Sequence, residues 1–307
     1  MPTPSEPARG TDAALRRRPA GATRRARRPA PPRRSFPSTW KALDALAAAG
    51  AQVSVRVDDI DTQAEVLAGD DHLAMPIAGL GLVPVLLEVA ARIDAGTLNP
   101  LEIVERDGID PVTGSGMWRH LAAPALPLRD LAVLAAAAGD PLAANALLAR
   151  VGLPAVRSRL DELGLVESAV MDRFRDRRGP DDAPHVAVGT AREYARLFAS
   201  LVNADAVSAG VSAQVAEWLS LGQDLSLVAS ATGLDPFGHD EDEHGLLFVN
   251  KTGRADGIRA EAGVLAGPRA GVAYALFVAF DDLSIAHRLR VHEAFRILGV
   301  ELMEYVF

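Results

Sequence analysis

Trp40, Leu43 and Leu46 recur at helical spacing behind Ser38-Thr39, and Gly50 closes the stretch, so the first element the chain predicts is an amphipathic helix. The period then changes. Val53, Val55 and Val57 alternate with polar neighbours across Gln52–Val57, the pattern of a half-buried strand. A turn carrying Asp58, Asp59 and Asp61 leads to a second strand over Gln63–Leu67, and the two read as a hairpin. Val83–Ile93 (VPVLLEVAARI) is apolar almost all round and stops before Gly96, as a buried helix does. Helical periods follow over Leu128–Ala138, Leu142–Val151, Pro154–Leu163, Thr190–Asn203 and Val211–Leu219. Strand patterns return over Leu246–Asn250, Ile258–Leu265 and Gly271–Phe280, and a long helix from Ser284 to Glu304 ends the chain. Strands at both ends with helices between them predict an α/β (α+β) unit. It is one antiparallel sheet of about five strands drawn from both chain ends, flanked by helices that include an all-helical middle.

Residues 1–36 break with this patterning. They are rich in Pro, Ala and Arg, and residues 1–34 hold ten arginines against Glu6 and Asp12. A segment with so little apolar surface cannot offset its chain entropy, so it reads as a disordered, solvated tail ahead of one domain spanning 37–307. Two other readings compete: a basic arm for nucleic acid or anionic lipid, and an export signal suggested by Arg24-Arg25 and Arg27-Arg28. The export reading lacks the apolar stretch it needs, since Pro29 to Pro37 supplies none, and a cytoplasmic protein is expected. Removing the tail leaves 22 basic and 38 acidic side chains, so the body is acidic and unsuited to nucleic acid by itself. No apolar run reaches the roughly 18 residues of a membrane span. The absence of cysteine excludes disulfides, thiolate zinc sites and a cysteine nucleophile.

Positive charge is written almost wholly as arginine, which singles out Lys251, one of two lysines. It stands in Asn250-Lys251-Thr252-Gly253, at a strand end with another strand to follow. This motif, the element order, and three further stretches together resemble class A β-lactamases and penicillin-binding-type serine hydrolases. The stretches are Met75–Gly96 (MPIAGLGLVPVLLEVAARIDAG), Gly114–Leu121 (GSGMWRHL) and Leu131–Gly152 (LAVLAAAAGDPLAANALLARVG). The resemblance covers about residues 38–307 and implies the β-lactamase-like fold. It also places each motif. The nucleophilic serine's position is Gly79 and that of its lysine partner Leu82. In the second motif the serine is replaced by Gly139 and the asparagine by Pro141, and only Asp140 matches. The third motif is intact in Lys251, Thr252 and Gly253. The family's Glu-x-x-Leu-Asn has no counterpart between Gly164 and Thr190, where Asp172 and Asp176 lie outside that pattern. By the same resemblance Asp140 and Asn145 hold the fold through hydrogen bonds, while Lys251 and Thr252 line the pocket and meet a substrate carboxylate. The ligand-binding set is therefore Lys251, Thr252, Gly253 and Asp140. The expected ligand is a small anion such as a β-lactam or a peptidoglycan-like fragment.

Acyl transfer needs an attacking hydroxyl, a base and a donor for the leaving nitrogen. Gly79 has nothing to attack with, Leu82 cannot take a proton, and Gly139 cannot pass one on. Loss of the covalent nucleophile alone costs on the order of 10⁶ in rate in serine hydrolases. Two readings follow. One is a catalytically silent homologue acting as a binding or regulatory protein. The other is a hydrolase of β-lactams, peptides or esters with a relocated nucleophile, which requires a hydroxyl within reach of Lys251. For Lys251 itself the plainer alternative is an ion pair with Asp140.

Other clusters fit simpler roles. His239-Asp240-Glu241-Asp242-Glu243-His244 has the donors for a divalent metal, but lies between Gly238 and Gly245 as a solvated acidic loop. Ser115 has no base placed beside it and reads as a turn. Arg259 and Glu261 share a strand face by period two and read as a surface ion pair, with Arg259 alternatively adding charge near Lys251. His287 and His292 read as ordinary helix residues. No cofactor or metal is expected.

Overall fold

The computed structural model describes residues 36–239 and 245–307. Helix α1 (Pro37–Ala48) starts with proline at its first turn and has no cap of its own. Its orphan N–H groups at Ser38 and Thr39 donate instead to the two carboxylate oxygens of Glu301, each at 2.9 Å, from the far end of the chain. Phe36 is buried beside the Tyr305 ring, so the packed body includes at least this residue of the stretch that composition assigns to the tail.

Strands β1 (Gln52–Asp59) and β2 (Glu65–Gly69) form the predicted hairpin. The second strand begins later than its pattern predicts, because Gln63 is a turn residue with φ of 58°. Asp59 builds that turn, accepting hydrogen bonds from Asp61 and Thr62. Next come β3 (Met75–Pro76), a 3-10 turn at Ala78–Gly81 and helix α2 (Leu82–Asp94). Strands β4 (Ile103–Glu105) and β5 (Ala125–Pro127) pair with each other ahead of helices α3 (Leu128–Ala138), α4 (Pro141–Val151) and α5 (Leu153–Glu162). Strands β6 (Ala169–Val170) and β7 (Ala187–Gly189) join β3 in a small sheet, and helices α6 (Ala191–Val202) and α7 (Ala209–Ser220) follow. The chain closes with β8 (Leu247–Ala255), β9 (Ile258–Ala266), β10 (Gly271–Ala279) and helix α8 (Ile285–Val306).

The main sheet has the order β2-β1-β10-β9-β8, antiparallel throughout, as expected from strands at both chain ends. The unbroken apolar run of β10 has a direct cause. Ala273, Ala275 and Phe277 join the core beneath the helical middle, while Val272, Tyr274, Leu276 and Val278 join the core beneath α1 and α8. Both faces are covered, so neither carries polar residues. One expectation is corrected here. Lys251, Thr252 and Gly253 do not follow the strand but lie inside β8, paired with Ala262, Glu261 and Ala260 of β9.

Candidate functional site

The inner edge of the site is where β8 meets the 3-10 turn ahead of α2. Gly253 is required there, because a Cβ on it would collide with the Ile77 carbonyl. Across the same contact, a Cβ at Gly79 would stand 3.1 Å from the Thr252 carbonyl oxygen and 3.6 Å from Gly253 Cα. Ala78, just before Gly79, has φ of 46°, a left-handed conformation that costs a non-glycine residue on the order of 1 kcal/mol. One turn on, Leu82 is buried in the apolar core cluster that α2 helps to form.

The second edge is the junction of α3 and α4. Gly139 ends α3 with φ of 62°, and a Cβ built on it would lie 3.5 Å from Lys251 Nζ. Asp140 is wholly buried and caps α4. Its Oδ1 accepts from Leu142 N and Ala143 N, both at 2.9 Å, and its Oδ2 from Met117 N at 2.6 Å and Trp118 N at 2.7 Å. Pro141 takes the first helical position, where its missing N–H costs nothing. Asn145 exchanges two hydrogen bonds with the Phe174 backbone, at 2.8 and 2.9 Å. Both residues thus hold the fold, as the resemblance implied. Asp172 and Asp176, between Gly164 and Thr190, are also structural. Asp176 binds the backbone of Thr113 and Gly114, and Asp172 is paired with Arg175 and Arg178.

Lys251 is 6% exposed, and among the described residues its ammonium makes no hydrogen bond or ion pair. The pairing with Asp140 is not seen, since all of that carboxylate's partners are backbone N–H groups. Burial pushes the Lys251 pKa below its ordinary value, against the opposing pull of Asp224 and Glu261. Ser115, the hydroxyl considered as a substitute, is exposed and makes no hydrogen bond to it.

Two acidic residues that sequence reasoning did not assign to the site sit beside this motif. The Thr252 hydroxyl donates to Asp224 Oδ2 at 2.7 Å, and Asp224 Oδ1 accepts from the Ser226 hydroxyl at 2.6 Å. Burial raises the Asp224 carboxyl, but these hydrogen bonds outweigh it and hold the group below the usual carboxylate range. Glu261, opposite Thr252 in the register, is fully buried. It accepts from Val228 N and Tyr274 Oη at 2.7 Å each and from Asn250 Nδ2 at 2.8 Å. Burial pushes its pKa up to about 7. Arg259 makes no ion pair with it, which corrects the surface-pair reading. An acid inside the apolar run of β9 was a visible signal for Glu261; Asp224, in an aperiodic loop, gave none.

Of the acidic loop, residues 240–244 lie outside the described residues, and His239 Nδ1 is 3.0 Å from the Asp235 carbonyl. Among the described residues no cluster of three metal-binding side chains occurs and no helix is long and apolar enough to cross a membrane.

A family model described as the β-lactamase enzyme family matches residues 38–306. No curated protein matches the chain. Solved structures share the fold at low identity. A β-lactamase from Sphaerobacter thermophilus DSM 20745 is 21% identical with a TM-score of 0.75, covering 88% of this chain and 97% of its own. A β-lactamase from Xanthomonas campestris pv. campestris str. ATCC 33913 is 16% identical with a TM-score of 0.73, covering 89% and 99%. PBP-A is 17% identical with a TM-score of 0.70, covering 87% and 94%.

Proposed function

This chain belongs to the β-lactamase enzyme family, and we propose that within it the protein is a non-catalytic binding or regulatory member that holds a small anionic ligand without turning it over. The observation that carries this reading is the neighbour of Lys251. Where a proton relay would need an oxygen, the ammonium faces Gly139, on which a Cβ would lie 3.5 Å from Lys251 Nζ but which carries no side chain. Gly79 supplies no nucleophile and buried Leu82 no base. No hydroxyl among the described residues takes either part by hydrogen bonding to Lys251.

Binding is a separate matter from turnover. The buried, unpaired Lys251 ammonium supports recognition of a carboxylate such as that of a β-lactam or a peptidoglycan-like fragment. Thr252 supports it less, because an entering carboxylate has to displace Asp224 from its hydroxyl. The reading therefore includes weak affinity. Nitrocefin and p-nitrophenyl ester turnover, with intact-mass analysis after benzylpenicillin, tests it on the full chain. The expected result is no turnover and no adduct, with benzylpenicillin binding that Lys251→Met abolishes. A stoichiometric adduct on the wild-type chain would refute the non-catalytic reading and favour a hydrolase with a relocated nucleophile.

A further inference from the structure

Beyond the Lys251 pocket, a cleft of about 320 Å³ opens between the β8–β9 hairpin and α8, lined by Arg254, Arg259, Ile285, Arg288, Leu289 and His292. The four α8 residues follow the spacing i, i+3, i+4, i+7 and so share one helix face. Arg254 and Arg259 are direct cross-strand partners, an arrangement in which like charges destabilise a sheet. No carboxylate lines the cleft, and none of its three guanidiniums forms an ion pair with a described residue. Asp224 and Asp256 act on Arg259 only at longer range.

The body of the protein carries 38 acidic against 22 basic side chains. Arg56, Arg92, Arg150, Arg159, Arg175, Arg178, Arg192 and Arg296 each pair with a carboxylate, whereas the three guanidiniums here stand together with none on the cleft lining. Arg259 is 9% exposed. Its Nη1 donates to the Ala255 and Ile258 carbonyls at 2.9 and 2.7 Å, and its Nε to His292 Nε2 at 3.4 Å, leaving Nη2 without a hydrogen bond among the described residues. Burial first, then Arg254 and Arg288, push it below the ordinary arginine value. Burial, then Arg259 and Arg254, lower His292, so the imidazole adds a polar group rather than a fourth charge.

We propose that this cleft binds a phosphoryl group, as a phosphomonoester whose apolar part rests on Ile285 and Leu289. Three converging guanidiniums match a dianion with three free oxygens better than a single carboxylate, because each fork can take one or two oxygens. Ile285 and Leu289 are 69% and 64% exposed at the rim, placed for an apolar substituent. The proposal is independent of whether Lys251 holds a ligand.

Calorimetric titration of the full chain at constant ionic strength tests it, with inorganic phosphate, phenyl phosphate and benzoate as probes. Saturable 1:1 binding of phenyl phosphate is expected, tighter than phosphate and at least tenfold tighter than benzoate. Arg254 and Arg288 are exposed, so Arg254→Ala and Arg288→Ala should fold, as thermal melts would verify, and each should weaken phenyl phosphate at least tenfold. Lys251→Met should leave that binding unchanged, which separates this cleft from the other pocket. Vesicles of phosphatidylcholine with phosphatidic acid form a second arm. Capture by them that Arg254→Ala/Arg288→Ala abolishes assigns the phosphoryl group to a lipid, whereas titration by phenyl phosphate without capture assigns it to a soluble ester. No saturable binding in either arm, or binding that survives in the double variant and so belongs to the arginines of residues 1–34, would overturn the proposal.

Discussion

The Thr252 hydroxyl donates to the Asp224 carboxylate at 2.7 Å, so the polar edge of the site is closed by an anion of the chain's own. An incoming carboxylate meets both a competitor for that hydroxyl and a like charge. Asp224→Asn removes the charge while keeping the side chain's size. It should tighten benzylpenicillin binding by about tenfold, about 1.4 kcal/mol. Chemical-shift titration of both proteins checks this, and equal or weaker binding in the variant would count against Asp224 as the competitor.

Glu261 makes stability depend on pH in a definite direction. Its folded pKa, pushed up to about 7 by burial, stands above the ordinary 4.5. The protonated form is therefore favoured by folding, and its contribution is complete below pH 4.5 and lost as pH rises through about 7. That move corresponds to about 3 kcal/mol. Glu261→Gln should flatten this part of the profile, so the difference between wild-type and variant stability should change by about that amount from pH 4.5 to 7. Urea unfolding across that range measures it, and parallel profiles would show that Glu261 does not titrate there.

Asp140 is a stability residue by the same kind of reckoning. Asp140→Ala strips the cap from α4, which costs about 1 kcal/mol. It also orphans the N–H groups of Met117 and Trp118; Met117 is half exposed and can turn to water, while the buried Trp118 donor adds about 1–3 kcal/mol. A loss of about 2–4 kcal/mol is expected in urea unfolding. Asp140→Asn keeps one oxygen and should lose about half of that. A loss below 1 kcal/mol for Asp140→Ala would mean that water replaces these bonds.

What could be read before folding was mainly what periodicity encodes. The alternation in β1, the apolar face of α2 and the two-sided apolar run of β10 each state which surfaces must be covered, and one sheet drawn from both chain ends follows from that, whereas the order of its strands is read from the structure. Strands of two or three residues, such as β3, β6 and β7, are too short to show a period, and they form because β3 and β6 flank β7. The motif glycines were legible as positions but not as contacts. Gly253 is fixed by the Ile77 carbonyl and Gly139 by a left-handed helix end, neither of which a linear pattern displays. The Asp224–Thr252 bond joins residues 28 apart through a loop and leaves no signature at all. Arg259 shares its strand face with Glu261 as period two requires, yet its partners are carbonyls and His292. Spacing states a shared face; it does not state who pairs.

Restoring single motif residues should not restore chemistry. A Cβ at Gly79 would stand 3.1 Å from the Thr252 carbonyl, so Gly79→Ser should fit after a shift of a few tenths of an ångström. The returned hydroxyl still has no base, because Leu82 is buried in an apolar cluster, and an unactivated serine is a poor nucleophile at neutral pH. Leu82→Lys would supply an amine, but burying its ammonium without a partner costs several kcal/mol, so the amine would be held largely neutral or the helix end would open. Gly139 would still pass no proton to a leaving nitrogen. Benzylpenicillin should therefore leave no adduct on Gly79→Ser by intact mass. Gly79→Ser/Leu82→Lys should acylate slowly at most, without nitrocefin turnover, and melt well below the wild type. Turnover by Gly79→Ser alone would mean that a base for the new hydroxyl already stands in this site, and that one missing oxygen is the whole of what silences it.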